Sequence, residues 1–172
     1  MQVHLVDHAP QSSGGRVNFL FRGNMPTNAT SFALDELITY MSQRAQGEGG
    51  IALPDDTKLV VISLNNIFDE SKPASDFRKE IDFWNNPQNA KYGSFVNWPL
   101  GVAGIAPPSA FPEATWRVML KALVWDIDRL PERIKSIRDM LTADYNSSVA
   151  IYVHCTAGCD RTGEVMGAYM LQ

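Results

Sequence analysis

The chain has little cysteine and lacks any long hydrophobic run. Its two cysteines, Cys155 and Cys159, lie close together near the end of the 172 residues, so they do not form the disulfide framework of a small secreted protein. No apolar run approaches the roughly 20 residues that cross a bilayer. The first residues also lack the charged-then-apolar pattern of a secretory signal. We therefore expect a soluble, cytoplasmic protein with no integral membrane segment.

Strong charge of either sign is also missing. The 15 Lys and Arg and the 19 Asp and Glu leave a net charge of −4, which disfavours a dominant surface for nucleic acid or anionic lipid. Basic residues do cluster between positions 117 and 138, but acidic residues interleave with them. That pattern is typical of a solvated helix face. We expect no nucleic-acid partner.

Short apolar segments alternate with helix-like segments along the chain. The pattern predicts strands at 17–22, 58–64, 94–98 and 149–154 and helices at 30–45, 76–84, 112–141 and 164–171. We expect Thr30 or Ser31 to cap the first helix, a loop at 47–54, and an interruption of the third helix at Pro131. This order predicts an α/β fold with a mainly parallel sheet and helices on both faces. Residues 1–15 are interpreted as a flexible lead-in and residues 16–172 as one domain.

Residues 154–163 are the most informative segment, because they place a thiol, an arginine and a hydroxyl between a predicted strand and a predicted helix. Such a turn can bind a phosphate dianion, since its backbone N–H groups point inward and the helix N-terminus adds a positive field. Gly158 and Gly163 relax the steric limits on the turn, and Arg161 can donate to two phosphate oxygens. The predicted phosphate-binding loop consists of Thr156, Ala157, Gly158, Cys159, Asp160 and Arg161.

The same positive field acts on Cys155, at the end of the predicted strand. Helix N-termini and nearby cations favour the thiolate, the nucleophilic form of cysteine, so Cys155 is the predicted catalytic nucleophile. Thr162 is expected to donate a hydrogen bond to the sulfur and so assist it as nucleophile and as leaving group. His154 is expected to support the loop through ring hydrogen bonds rather than to act as a base, and Gly163 is a second supporting residue.

These residues resemble the signature of the cysteine-dependent protein tyrosine phosphatase superfamily, His-Cys-x5-Arg-Ser/Thr-Gly. Its fixed positions are matched by His154, Cys155, Arg161, Thr162 and Gly163. The Asp-Arg-Thr ending is similar to that of phosphoinositide phosphatases, which favours the dual-specificity and lipid-phosphatase branch. The resemblance implies a phosphatase-like fold and hydrolysis of a phosphomonoester, in phosphorylated protein or phosphoinositide, through a cysteinyl phosphate.

Two further expectations accompany this resemblance. Backbone donors and Arg161 supply the electrostatic stabilisation, so we expect catalysis without a cofactor or metal. Phosphatase domains of this kind usually extend several tens of residues beyond the signature, so we expect the sequence to be truncated at its C-terminus.

Ester cleavage also needs a proton for the leaving oxygen. In common tyrosine phosphatases an Asp of a Trp-Pro-Asp loop supplies it, but the similar Trp98-Pro99-Leu100 has a leucine in that place. Asp160 is the first candidate acid, because the loop Asp is regarded as the proton donor in several phosphatases with the Asp-Arg-Thr ending. Its alternative role is to order the loop or to pair with a distant arginine. Weaker candidates are Glu113, Asp126 and Asp128.

Two other functions remain open. With leucine in place of the expected acid, the loop would bind phosphorylated protein or lipid without hydrolysing it. Arsenate reductases also use a Cys-x5-Arg loop, so thiol redox chemistry by Cys155 and Cys159 is the third hypothesis. Cys159 either forms a reversible disulfide with Cys155 or packs as a small side chain beneath the loop. It also replaces the lysine of similar bacterial loops, which disfavours a lipid substrate.

Overall fold

The computed structural model describes residues 1–66, 73–100, 112–121 and 128–171. The strands in this part of the chain are β1 (Val3–Pro10), β2 (Val17–Asn24), β3 (Lys58–Ser63), β4 (Gly93–Asn97) and β5 (Val149–Cys155). The helices are α1 (Leu34–Gly49), α2 (Pro73–Asn85), α3 (Glu113–Lys121), α4 (Leu130–Thr142) and α5 (Asp160–Leu171), with a 3₁₀ helix at Pro87–Tyr92.

The described strands form one sheet in the order β1-β2-β5-β3-β4. β5 runs parallel to both β2 and β3, and β3 runs parallel to β4, whereas β1 is antiparallel to β2. Every residue of the central strand β5 is buried, as expected for a parallel strand covered on both faces. The predicted α/β fold with a mainly parallel sheet is confirmed.

Alternate residues of the strands enter two separate cores. Leu20, Ile62 and Ile151 pack in one cluster with Ile134 of α4 and Val165 of α5. On the opposite face, strand residues pack in a second cluster with α1; its members include Phe19, Phe21, Val61, Tyr152, Leu37 and Met41. Helices therefore cover both faces, as the sequence predicted.

The interpretation of residues 1–15 as a flexible lead-in is wrong for β1. This strand lies at the sheet edge, is mostly half-buried or exposed, and contains an irregularity between Leu5 and Asp7. The sequence of β1 therefore has no continuous apolar run that would predict a strand, although Val3 is buried. The backbone N–H of Leu5 donates to the Glu48 carboxylate at 3.0 Å, and the Tyr169 hydroxyl donates to Asp7 at 2.6 Å. These contacts attach β1 to α1 and α5.

The segment that follows β1, the last part of the predicted flexible lead-in, is also anchored. Gln11 is buried and donates from Nε2 to the side chain of Asn18 at 2.8 Å and to the Ser147 carbonyl at 2.9 Å. Gly14 and Gly15 have φ values of 85° and 82°, so the two glycines permit a tight turn between β1 and β2.

The bounds of α1 differ from the prediction at both ends. Asn28 Oδ1 accepts hydrogen bonds from the N–H groups of Thr30 and Ser31, at 3.0 and 2.9 Å. This side-chain turn uses the polar residues before the helix begins, so α1 starts at Leu34 with no side-chain cap. The helix continues to Gly49, and Gly50 then adopts φ 66°. The predicted loop at 47–54 is therefore wrong for residues 47–49.

The segment predicted as one helix at 112–141 contains α3 and α4. Residues 122–127 lie outside the described residues, and Asp126 falls among them. Pro131 lies in the first turn of α4 rather than within a continuous helix, because proline there costs no intrahelical hydrogen bond. α5 begins at Asp160, earlier than predicted, so the end of the candidate loop is helical.

Candidate active site

The signature residues lie at the carboxyl edge of the parallel strands. β5 ends at Cys155, and α5 begins five residues later at Asp160. In the sheet register Cys155 pairs with Asn24 at the end of β2, and His154 pairs with Ser63 at the end of β3. The fold thus places the loop where ligands of open parallel sheets bind.

Gly158 brings a backbone donor to the thiol. Its N–H donates to Cys155 Sγ at 3.3 Å, and the sulfur-bearing residue is only 4% exposed. Gly158 has φ 73°, and a Cβ added there would lie 2.5 Å from the Gly23 carbonyl oxygen. The left-handed backbone and the close approach to β2 both require glycine at this position.

The remainder of the loop is attached to the neighbouring strand ends. The Thr156 hydroxyl donates to Asn65 Oδ1 at 3.0 Å, and the Thr156 carbonyl accepts from the N–H of Met25 at 3.2 Å. Gly163 N–H donates to the Cys159 carbonyl at 2.7 Å, closing the first turn of α5. Ala157 and Cys159 are exposed, so they lie on the outer side of the loop. The expectation that Cys159 packs beneath the loop is therefore wrong, and both cysteines are free thiols in this structure.

Arg161 and Thr162 leave the loop in different directions. Arg161 is half-buried, and its Nη1 donates to the Leu64 carbonyl at 3.2 Å, just after β3. Thr162 is fully buried, and within the described chain its hydroxyl has no hydrogen-bond partner. The predicted hydrogen bond from Thr162 to the Cys155 sulfur is therefore not formed, because the early start of α5 places Thr162 on the buried side of the first turn.

His154 contacts a residue that the sequence did not single out. Its Nε2 lies 2.9 Å from Glu80 Oε1, and its Nδ1 lies 3.3 Å from the carbonyl oxygen of Cys155. His154 and Glu80 are both completely buried. Glu80 belongs to helix α2, three residues after Phe77, which is also buried. That spacing is compatible with an ordinary helical acid and does not indicate the partner, which lies on β5.

The candidate acids differ in their partners and in their distance from the loop. Leu100 packs in the core, and its N–H donates to the Leu64 carbonyl at 3.3 Å. The Trp-Pro-Leu segment therefore has a structural role at Leu100, where the resemblance expects an acid. Asp160 is exposed at the start of α5. Glu113 is exposed and pairs with Arg117 at 2.6 Å on α3. The pKa of Glu164 on α5 is raised by burial and then by the charge of Asp128. Asp128 therefore lies close to α5.

Arg133 fixes the backbone beside these acids. Its guanidinium donates to the carbonyls of Trp98 and Pro99, at 3.0 and 3.2 Å. Burial lowers the pKa of Arg133, while the charge of Asp128 raises it. α4 thereby links the Trp98–Pro99 segment to the same edge of the sheet as the loop.

No family model, curated protein or solved structure matches this chain. The interpretation of the site therefore depends on its own geometry and on the resemblance of its signature.

Two further observations concern the described residues as a whole. None of their helices is both long enough and apolar enough to span a membrane. Among these same residues, no three His, Cys, Asp or Glu side chains form a cluster suited to a metal ion.

Proposed function

We propose that the protein is a phosphomonoester hydrolase that acts through a cysteinyl-phosphate intermediate. The observation that carries the proposal is the position of the Cys155 sulfur. It lies at the carboxyl end of the central strand, 3.3 Å from the Gly158 N–H, just before a helix of 12 residues begins. Helix N-termini and inward-pointing amides favour both a bound phosphate and a neighbouring thiolate.

The reaction has two steps. The Cys155 thiolate attacks phosphorus, a sulfur–phosphorus bond forms, and the bond to the ester oxygen breaks as that oxygen takes a proton from an acid. Water then attacks the cysteinyl phosphate and gives a proton back to the acid, the sulfur–phosphorus bond breaks, and inorganic phosphate and the thiolate are released. Arg161 and the loop amides stabilise the charge on the equatorial oxygens. Asp160, exposed beside Arg161, is the proposed acid.

The proposed substrates are phosphotyrosine, phosphoserine or phosphothreonine in a protein, or a phosphoinositide. This class follows from the resemblance of the signature and from the phosphate chemistry of the loop. A phosphatase-like fold is proposed on the same ground, with the mainly parallel sheet and the loop at its carboxyl edge as support.

Rapid mixing of the protein with p-nitrophenyl phosphate tests the nucleophile. Wild type should release a burst of nitrophenol and then turn over steadily, whereas Cys155→Ser should show neither and still bind inorganic phosphate. Turnover retained by Cys155→Ser would refute the covalent scheme. The variant Asp82→Asn, an exposed change on α2, is the control for handling and folding.

The leaving group tests the acid. Asp160→Asn should slow hydrolysis of phenyl phosphate more than that of p-nitrophenyl phosphate, because the poorer leaving group needs the proton more. Equal slowing of the two substrates would argue against Asp160. If Asp128→Asn gives the unequal slowing instead, the acid is Asp128, which lies close to α5.

The second candidate function is a phosphate-binding module without catalysis. It is favoured by the burial of Leu100, which is 3% exposed in the segment where the resemblance expects an acid. Binding of phosphate by wild type with no release of nitrophenol, either as a burst or in the steady state, would support this module and exclude the hydrolase.

A further inference from the structure

A buried acid–base pair includes the residue that precedes the candidate nucleophile in the chain. Glu80 on α2 and His154 on β5 are both 0% exposed, and their side chains approach to 2.9 Å. The other ring nitrogen of His154 faces the backbone carbonyl of Cys155 at 3.3 Å. The hydrolase chemistry proposed above uses neither side chain, so the pair needs its own explanation.

The proton content of the pair follows from its partners. A neutral imidazole has one N–H donor and one nitrogen acceptor, yet both ring nitrogens of His154 face oxygen acceptors. If Glu80 is ionised, a neutral ring would turn a lone pair toward one of these oxygens in a fully buried site, which is costly. A ring protonated on both nitrogens satisfies both contacts and gives the Glu80 carboxylate a counter-charge.

The surroundings agree with a proton on the ring. The ring of Tyr152 stacks on that of His154 with centroids 5.5 Å apart. The Tyr152 hydroxyl donates to the Asn24 carbonyl at 2.7 Å, and burial, followed by the charges of Glu80 and Cys155, raises its pKa. Tyr152 therefore stays neutral and does not compete for the proton.

We propose that Glu80 is a positioning residue that keeps His154 as an imidazolium behind Cys155, and that this buried cation favours the Cys155 thiolate. The cation acts together with the Gly158 N–H, which contacts the sulfur from the loop side. The consequence for catalysis rests on the proposed function. The charge state of the pair does not, and neither does the reactivity of the thiol.

Nitrogen NMR of the wild-type protein tests the charge state directly. The chain has three histidines, and substitution of the exposed His4 and His8 by glutamine assigns their resonances. The third pair of ring-nitrogen resonances belongs to His154. At pH 7 both nitrogens should carry a proton, with the similar shifts of an imidazolium. One protonated and one bare nitrogen would overturn the proposal.

Alkylation of Cys155 tests the effect on the thiol. Its rate with iodoacetamide is read by fragmenting the peptide that contains both Cys155 and Cys159, because the fragment masses show which sulfur carries the label. Glu80→Gln keeps the size of the side chain and removes its charge. The variant should lose the His154 imidazolium signature, and alkylation of Cys155 should slow about tenfold, since a cation that favours the thiolate is lost. The matched control Asp82→Asn removes an exposed carboxylate from the same helix and should alkylate at the wild-type rate.

The outcomes separate this proposal from the proposed function. An unchanged alkylation rate in folded Glu80→Gln would overturn the role of Glu80, whether or not the protein hydrolyses phosphate. The predicted NMR signature and slower alkylation in a protein that never hydrolyses p-nitrophenyl phosphate would support the pair and refute the hydrolase. If Glu80→Gln does not fold, the wild-type NMR spectrum alone decides.

Discussion

Replacement of Gly158 by alanine should disrupt the loop more than any ordinary glycine substitution. The residue has φ 73°, and an added Cβ would lie 2.5 Å from Gly23 O, 2.6 Å from Gly23 C and 2.8 Å from Asn24 N. All three atoms belong to the backbone of β2, so no side-chain rotation relieves the clash. The loop must move away from β2, and that movement separates the Gly158 N–H from the Cys155 sulfur.

The expected cost has two parts. A non-glycine residue in the left-handed region costs about 1–2 kcal/mol. Displacing packed neighbours costs about 1–3 kcal/mol more, so the free energy of unfolding should fall by about 2–5 kcal/mol in total. Urea unfolding followed by tryptophan fluorescence measures this loss, and the four tryptophans provide the signal. Alkylation of Cys155 should slow as well, because the thiolate loses a donor.

Gly167→Ala is the matched control. This glycine is exposed within α5, and an added Cβ meets nothing within 4 Å. Alanine is favoured over glycine inside a helix, so this variant should be more stable than wild type by about 0.5–1 kcal/mol. If Gly158→Ala unfolds at the same urea concentration as Gly167→Ala, the close approach of the loop to β2 does not stabilise the protein, and the reasoning is refuted.

Two other variants test how the sheet and helices are joined. Asn18 is completely buried, donates to the carbonyls of Leu141 and Ala143, and accepts from Gln11 and the N–H of Val149. Asn18→Ala leaves these partners unsatisfied and should cost about 2–4 kcal/mol in urea unfolding; a loss below about 1 kcal/mol would contradict this. Burial, and then the hydrogen bond to Asp7, raise the pKa of Tyr169. Tyr169 therefore ionises at a lower pH in the unfolded chain than in the folded protein. The stability that the neutral hydroxyl contributes is complete below about pH 10 and is lost as the pH rises through the higher pKa of the folded state. Tyr169→Phe should be less stable at pH 8 but lose less stability between pH 9 and 11, and an unchanged slope would contradict the reasoning.

Much of the architecture was predictable because the central strands have strong local signals. The buried run that forms β5 and the apolar segment that forms β3 both follow from their composition, and the alternation with helices indicates parallel pairing. The position of Cys155 at the carboxyl edge follows from the same order. These features depend on patterns within single segments, which a sequence displays directly.

Other features depended on partners distant in the chain. β1 is an edge strand whose stability comes from contacts such as those of Leu5 with Glu48 and Asp7 with Tyr169, and no local pattern indicates them. Glu80 has the appearance of an ordinary helical acid until the fold places it against His154, 74 positions away. The start of α1 was misplaced because Asn28 forms a side-chain turn that competes with capping.

The contact between Glu48 and the edge strand also bears on self-association. The Glu48 carboxylate, itself paired with Arg44 at 2.9 Å, occupies the N–H of Leu5 that a strand from a second molecule would need for pairing. An incoming strand would have to displace a charged group before its first hydrogen bond could form. Charged side chains at sheet margins oppose aggregation in this way, and here the protection comes from a helix rather than from the strand itself.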